Sequence, residues 1–155
     1  LGRAVSWLTT VLVVFICYDV LMRYQFNSTA AWITELEWHL FALIFLLGAG
    51  YTLRHDKHVR VDLFYASMDT RDKAWVNLVG TLVFLIPWCL VLLYFSFFYA
   101  LDAYQLNESS PDPGGLPARY LIKFSICVGV FFLLLQAIAL VLESIQQIRQ
   151  TKTDA

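Results

Sequence analysis

Several side chains have types and spacings that could carry chemistry. His55-x-x-His58, beside Asp56 and Asp62, offers the imidazole and carboxylate groups that hold metal ions. No further Cys or His lies close by, and a set of interfacial polar residues is the plainer reading. Glu35 and Glu37 are the carboxylates nearest an apolar run, but a helix turns about 200° between them, so they cannot share one substrate. Cys17, Cys89 and Cys127 fall in apolar runs without paired spacing, which argues against disulfides and a thiolate metal site. Asn107-Glu108-Ser109 matches a glycosylation sequon, which has meaning only in a secretory-pathway protein. No Ser/His/Asp set, Gly-rich phosphate loop or paired carboxylates supports catalysis. The expectation is a protein that is not an enzyme and holds no cofactor or metal of its own.

The elements that would position these residues are strongly apolar. Of 155 residues, 59% are hydrophobic, 16% aromatic and only 15% charged, against about 45–50% apolar and about 25% charged in soluble domains. A chain this small has too much surface to hide that excess from water, so it must face lipid. The net charge of −1 excludes a bulk nucleic-acid binder.

A helix needs about 20 mostly apolar residues to cross a bilayer. Residues 74–101 form an uncharged run of 28, residues 124–142 one of 19, and residues 4–21 are apolar apart from Ser6, Thr9, Thr10 and Asp19. Asp19 lies near enough to the end of that segment to reach the interface. Residues 40–53 are too few to span unless residues 32–39 join the same helix, which sets Glu35, Glu37 and His39 in its first two turns, with Trp32 and Trp38 in an aromatic belt. The fold expected is an all-α membrane protein: a single domain over residues 1–155 with four transmembrane helices near 4–22, 32–53, 70–101 and 118–145. Pro87 should kink the third helix, and Gln136 reads as an interhelical hydrogen-bond partner in the fourth. The first segment reads as a span and not a cleaved leader, because no small-residue cleavage site follows it.

Counting Lys and Arg in the short connections places eight on the side of both termini and the 2–3 connection and three on the other, so both termini should be cytoplasmic. Val61, Phe64, Tyr65 and Met68 form an apolar stripe in the 2–3 connection, consistent with a short interfacial amphipathic helix over about 57–69 with Lys57 and Arg60 near headgroups. Asp69 and Asp72 resemble a capping box for the third span. On the opposite side, Asp102, Glu108 and Asp112 lie between the third and fourth spans with no basic residue among them, Asp112 within the Pro/Gly-rich stretch 109–117. With Tyr104 and Arg119, that region is either a docking surface or a plain interhelical loop.

The middle of every span is apolar, which suits neither an autonomous transporter with a midplane site nor a haem carrier with paired histidines. A haem or electron-transfer anchor subunit, motivated by His39, His55 and His58, remains the alternative. A self-assembling small exporter using Glu35 or Glu37 is a weaker third reading.

Trp32-Ile-Thr-Glu35, then Gly48 thirteen residues on, Arg54 six later, and His58-Val-Arg-Val-Asp62 at intervals of four closely resemble the small membrane subunit of tripartite ATP-independent periplasmic (TRAP) transporters, the DctQ family. The Gly-Gly-Leu-Pro-Ala-Arg119 segment looks like members serving organic-acid systems. The resemblance covers nearly the whole chain. It implies a scaffold in a bacterial or archaeal inner membrane, partnered by a large membrane subunit that carries the sodium and substrate sites. A periplasmic substrate-binding protein would deliver carboxylates or sulfonates. Residues expected to contact partners or phospholipids are Glu35, Gly48, Arg54, His58, Arg60, Asp62, Asp102, Glu108, Asp112 and Arg119.

Overall fold

The computed structural model describes residues 2–54, 65 and 67–153. His58, Arg60 and Asp62, the His55/His58 pair and most of the 57–69 segment, for which an interfacial helix is expected, lie outside the described residues. Within them the chain is helical: α1 (Gly2–Phe26), α2 (Ala31–Arg54), α3 (Thr70–Gly80), a π-helical turn (Thr81–Leu85), α4 (Ile86–Gln105) and α5 (Tyr120–Thr153). Because α3, the π turn and α4 run on without a break, four helices are long and apolar enough to cross a membrane.

Each helix boundary has a local cause. Asn27 takes a left-handed conformation (φ 47°) just past α1, and the Ser28 amide reaches back to the Met22 carbonyl at 3.3 Å, a closure in which Asn replaces the usual Gly. Residues 32–39 do belong to α2, as the shortness of the uncharged run requires. At the start of α3, Asp69 is extended and its carbonyl accepts the Lys73 amide at 2.9 Å, but its side chain makes no capping bond. The capping box expected from Asp69 and Asp72 is therefore not formed.

Pro87 has no N–H and its ring crowds the carbonyl four residues back. The helix meets this with the wider π turn ahead of the proline, where the Ile86 amide bonds the Thr81 carbonyl. A π turn next to proline is a recognised place for a helix to change direction.

The helices pack as an open row. α5 lies between α2 on one side and the α3–α4 helix on the other, while α1 packs on the outer side of α2. Small residues let the backbones approach: Ala74, Ala100 and Ala137 are fully buried, as expected where lipid supplies no hydrophobic drive and close contact must hold helices together. A Cβ added at Gly129 would stand 2.7 Å from Leu46 Cβ, and one at Gly50 3.3 Å from the Phe132 carbonyl oxygen, so the α2–α5 crossing depends on these glycines. Hydroxyls inside the spans turn back on their own helix, as Ser144 does to Leu140 and Thr52 to Gly48, both at 2.8 Å. Across α4 and α5, the Cys127 thiol lies 3.3 Å from Ser96 Oγ. A row has two broad faces, and these carry large exposed apolar groups such as Phe41, Phe45, Phe84 and Trp88.

Asp19, near the end of α1, is turned toward the protein. It is 4% exposed, with one oxygen held 2.5 Å from Arg23 one turn on. Its other oxygen, and Glu37 Oε1 on α2, are buried without a hydrogen-bond partner.

Candidate functional site

The polar features converge at the end of the row where α2 begins, α4 ends and α5 begins. The second turn of α2 carries Glu35, which is 5% exposed. One carboxylate oxygen accepts the Ser110 hydroxyl; the other accepts the Leu116 amide at 2.5 Å. A buried carboxylate is costly unless its lone pairs are filled, and here the loop between α4 and α5 fills them.

That loop is built to present those donors. Its base is closed by the Arg119 amide on the Glu108 carbonyl at 3.0 Å, and inside this the Ser110 amide bonds the Leu116 carbonyl at 3.2 Å. The Gly115 amide bonds the Asp112 carbonyl at 3.0 Å, and the Asp112 amide bonds Ser110 Oγ at 3.1 Å. Asn107, Gly114 and Ala118 take positive φ values of 48°, 79° and 62°, which turn the chain back on itself. Gly115 is required for another reason: a Cβ there would lie 2.8 Å from Glu35 Oε2 and still closer to the Ser110 side chain. The closed shape and internal bonds are those of a compact Ω-type loop.

Beside the clamp, Lys123 of α5 pairs with Glu108 and stands 3.9 Å from the centre of the Tyr99 ring. The Arg119 guanidinium lies 5.9 Å from the Trp38 ring centre, and Tyr104 meets Tyr120 edge to face at 5.2 Å. The His39 ring packs on Trp38 with centroids 3.8 Å apart, its Nδ1 2.5 Å from the Glu35 carbonyl oxygen.

Of the residues singled out from sequence, Glu35, Glu108 and Arg119 are brought together here. The Asp102 and Asp112 side chains are exposed on the same end. Gly48 lies lower on α2, where an added Cβ would stand 3.9 Å from Val5 of α1, an ordinary contact distance. Arg54 is at the far end of α2, lining a cavity of about 330 Å³ with Lys73, Asn77, Gln136 and Glu143. Gln136 lines this cavity and also a second one, shared with Gly50 and Phe132, between α2 and α5. No group of three or more His, Cys, Asp or Glu side chains suited to a metal occurs among the described residues.

Ser110, Gly115, the Leu116 amide, Trp38, Tyr99 and Lys123 complete the site without being singled out from sequence as parts of it. The Pro/Gly cluster signalled Ser110, Gly115 and Leu116, and the belt position Trp38, but nothing marked Tyr99 or Lys123 and nothing in the local pattern links residue 35 to residues 110–116.

Four lipid-facing helices in a row, with a braced loop at one end, define a multi-pass membrane subunit whose polar chemistry sits at its rim. Residues 12–147 match the family described as tripartite ATP-independent periplasmic transporters, DctQ component, and the chain belongs to that family. It is thus the small membrane subunit of a TRAP transporter, a transporter component and not a member of an enzyme family. No curated protein matches the chain.

Proposed function

We propose that this chain is the membrane-fixed scaffold of a sodium-coupled, binding-protein-dependent uptake system for organic acids such as carboxylates or sulfonates. It stabilises the large permease subunit and forms part of the docking face for the periplasmic binding protein. The observation that carries this reading is the shape of the chain within its family: an open row whose apolar faces are unsatisfied by its own helices, with a loop braced by Glu35 at one end. One face fits a large membrane partner. Sodium and substrate then belong on that partner, since the spans of this chain present apolar side chains at their middles.

The excess of Lys and Arg at the terminal side sets both termini in the cytoplasm and the 102–119 region in the periplasm. Asp102 and Asp112 then form the charged rim open to a soluble partner, with Glu108 beside them paired to Lys123. Arg54, with His58, Arg60 and Asp62 of the following segment, holds the cytoplasmic side near the headgroups. Gly48 lies on the side of α2 that faces α1, where a Cβ would come within 3.9 Å of Val5.

The test is co-expression with a large permease subunit and its binding protein. Co-purification of this chain with the permease, and weaker binding-protein association when Asp102, Glu108 and Asp112 are replaced by Asn, Gln and Asn, support the reading. A permease that purifies without this chain would overturn it.

A further inference from the structure

Beside the braced loop, a pocket of about 240 Å³ opens on a broad face of the row over the first turns of α5. Its upper walls are Trp38 of α2 and Tyr99 of α4, and its basic groups, Arg119 and Lys123, come from the start of α5. Its floor descends along two helices, from Trp38 to Ala42 on α2 and from Ile122 to Ile126 on α5, each pair one turn apart. The pocket is therefore polar at the rim and apolar below. It is smaller than the about 300–1,000 Å³ usual for whole small-molecule ligands, so it takes one group of a larger molecule.

The charges in it are unequal. Lys123 is paired with Glu108, the one carboxylate in the lining. Arg119 rests over the Trp38 ring, and its charge also acts on the buried Glu35 carboxylate that braces the loop, but no carboxylate of the pocket lining pairs with it. It is a guanidinium, whose planar donors fit a phosphate in a bidentate way. The site also lies at the amino-terminal end of the 34-residue α5, where the helix dipole favours an anion. Trp38 and Tyr99 are 40% and 54% exposed at the level where aromatic side chains mark the headgroup region.

We propose that this pocket binds the phosphodiester of a membrane phospholipid, with Arg119 on the phosphate, Trp38 and Tyr99 flanking it, and an acyl chain along Ala42, Ile122 and Ile126. A phosphodiester takes the guanidinium donors that no carboxylate of the pocket lining occupies. A free phosphate would leave the apolar floor uncovered, and a soluble acidic peptide could not fill a groove that runs down into the hydrocarbon. The lipid braces α2, α4 and α5 at the point where the loop departs. The site stands on the pocket and the membrane-spanning row, independently of which substrate the transporter carries.

The experiment uses the full chain, purified in mild detergent, stripped of lipid and titrated with short-chain phosphatidylglycerol while native mass spectrometry counts bound molecules. One molecule binds per wild-type chain. Arg119→Ala weakens that binding about tenfold, the loss expected for a charge-assisted hydrogen bond. Arg119→Lys weakens it less, and Trp38→Phe by about threefold through the poorer cation–π wall. Arg71→Ala, at the opposite end of the row, stays within about twofold of wild type. Diacylglycerol of the same chain length and inorganic phosphate both bind at least about tenfold more weakly than the phospholipid.

Equal affinity in wild type and Arg119→Ala overturns the proposal. Diacylglycerol binding as tightly as the phospholipid reduces the site to an apolar groove, and inorganic phosphate binding as tightly reduces it to a free-anion site; either overturns it as well. Displacement of the lipid on assembly with the permease subunit, with position 119 cross-linking to that subunit, also overturns it by making the pocket a protein contact. If Arg119→Ala does not fold, unchanged affinity in both Arg119→Lys and Trp38→Phe is the contradicting result.

Discussion

The carboxylate of Glu35, in the second turn of α2, accepts the backbone amide of Leu116 at 2.5 Å across 81 residues of sequence. A single side chain thus fixes the loop between the third and fourth spans onto the start of the second. The hydroxyl of Ser110 fills the other carboxylate oxygen, and the absence of a Cβ at Gly115 lets the loop come close enough.

Replacing Glu35 with Ala leaves the Leu116 amide without its acceptor, at a cost of about 1–3 kcal/mol. Hydrogen exchange of the 108–119 amides should accelerate while the α4 and α5 interiors stay protected. Gly115→Ala should loosen the same amides, because its methyl would press on the Glu35 and Ser110 side chains. Unchanged exchange in both variants would show that the loop is held by its own backbone bonds alone.

The α2–α5 crossing should be sensitive at Gly129 and tolerant at Gly48. A methyl at 129 meets Leu46 Cβ at 2.7 Å and the Leu46 carbonyl oxygen at 3.0 Å, so backbone must move; about 1–3 kcal/mol of destabilisation follows from overpacking. A methyl at 48 meets only Val5 at 3.9 Å, and the gain in helix propensity of up to about 1 kcal/mol offsets any crowding. Thermal unfolding in detergent compares Gly129→Ala with Gly48→Ala. Equal melting temperatures would refute the close-contact account.

Between α1 and α2, Asp19 Oδ1 and Glu37 Oε1 are buried without partners, and the charges of Asp19 and Arg23 both act on Glu37. Glu37→Gln keeps the shape, removes one of two like charges and adds a donor. It should raise stability by about 1 kcal/mol, seen as a higher melting temperature of the purified chain. A drop of that size would mean that the Glu37 charge is itself needed.

The four spans were legible because lipid imposes a simple rule: an uncharged run of sufficient length must be a helix. Even the short run at residues 40–53 was recoverable, since only inclusion of Trp32 to His39 makes it span, and α2 begins at Ala31. The order of the helices in the row was not legible. It depends on which glycine meets which backbone, and Gly50 and Gly129 look no different in sequence from Gly48. The Asp69/Asp72 pair misled for a related reason: capping is decided by side-chain geometry, and the Asp69 carbonyl alone meets the start of α3. Glu35 stood out as a carboxylate at the rim, but its partners are set by the turns at Asn107, Gly114 and Ala118, whose positive φ values Gly114 and Asn107 suggest by residue type and Ala118 does not.

Arg54 closes α2 at the edge of the cavity that also holds Lys73 and Glu143. Arg54→Glu should weaken the excess of Lys and Arg on the side of the termini, which the proposed topology sets in the cytoplasm, and place a second carboxylate beside Glu143. Lower yield of the assembled complex, with a greater fraction of chains accessible from the wrong side to a membrane-impermeant label, is the expected outcome. Normal yield and labelling would assign Arg54 to simple solvation.

The central claim is that this chain is required as a scaffold while others carry ions and substrate. It is tested most directly by sodium-gradient uptake of an organic acid into proteoliposomes holding the large permease subunit and its binding protein, with and without this chain. Uptake that depends on the chain, and falls when Glu35→Ala frees the braced loop, is the predicted result. Full uptake by the permease subunit alone would contradict it.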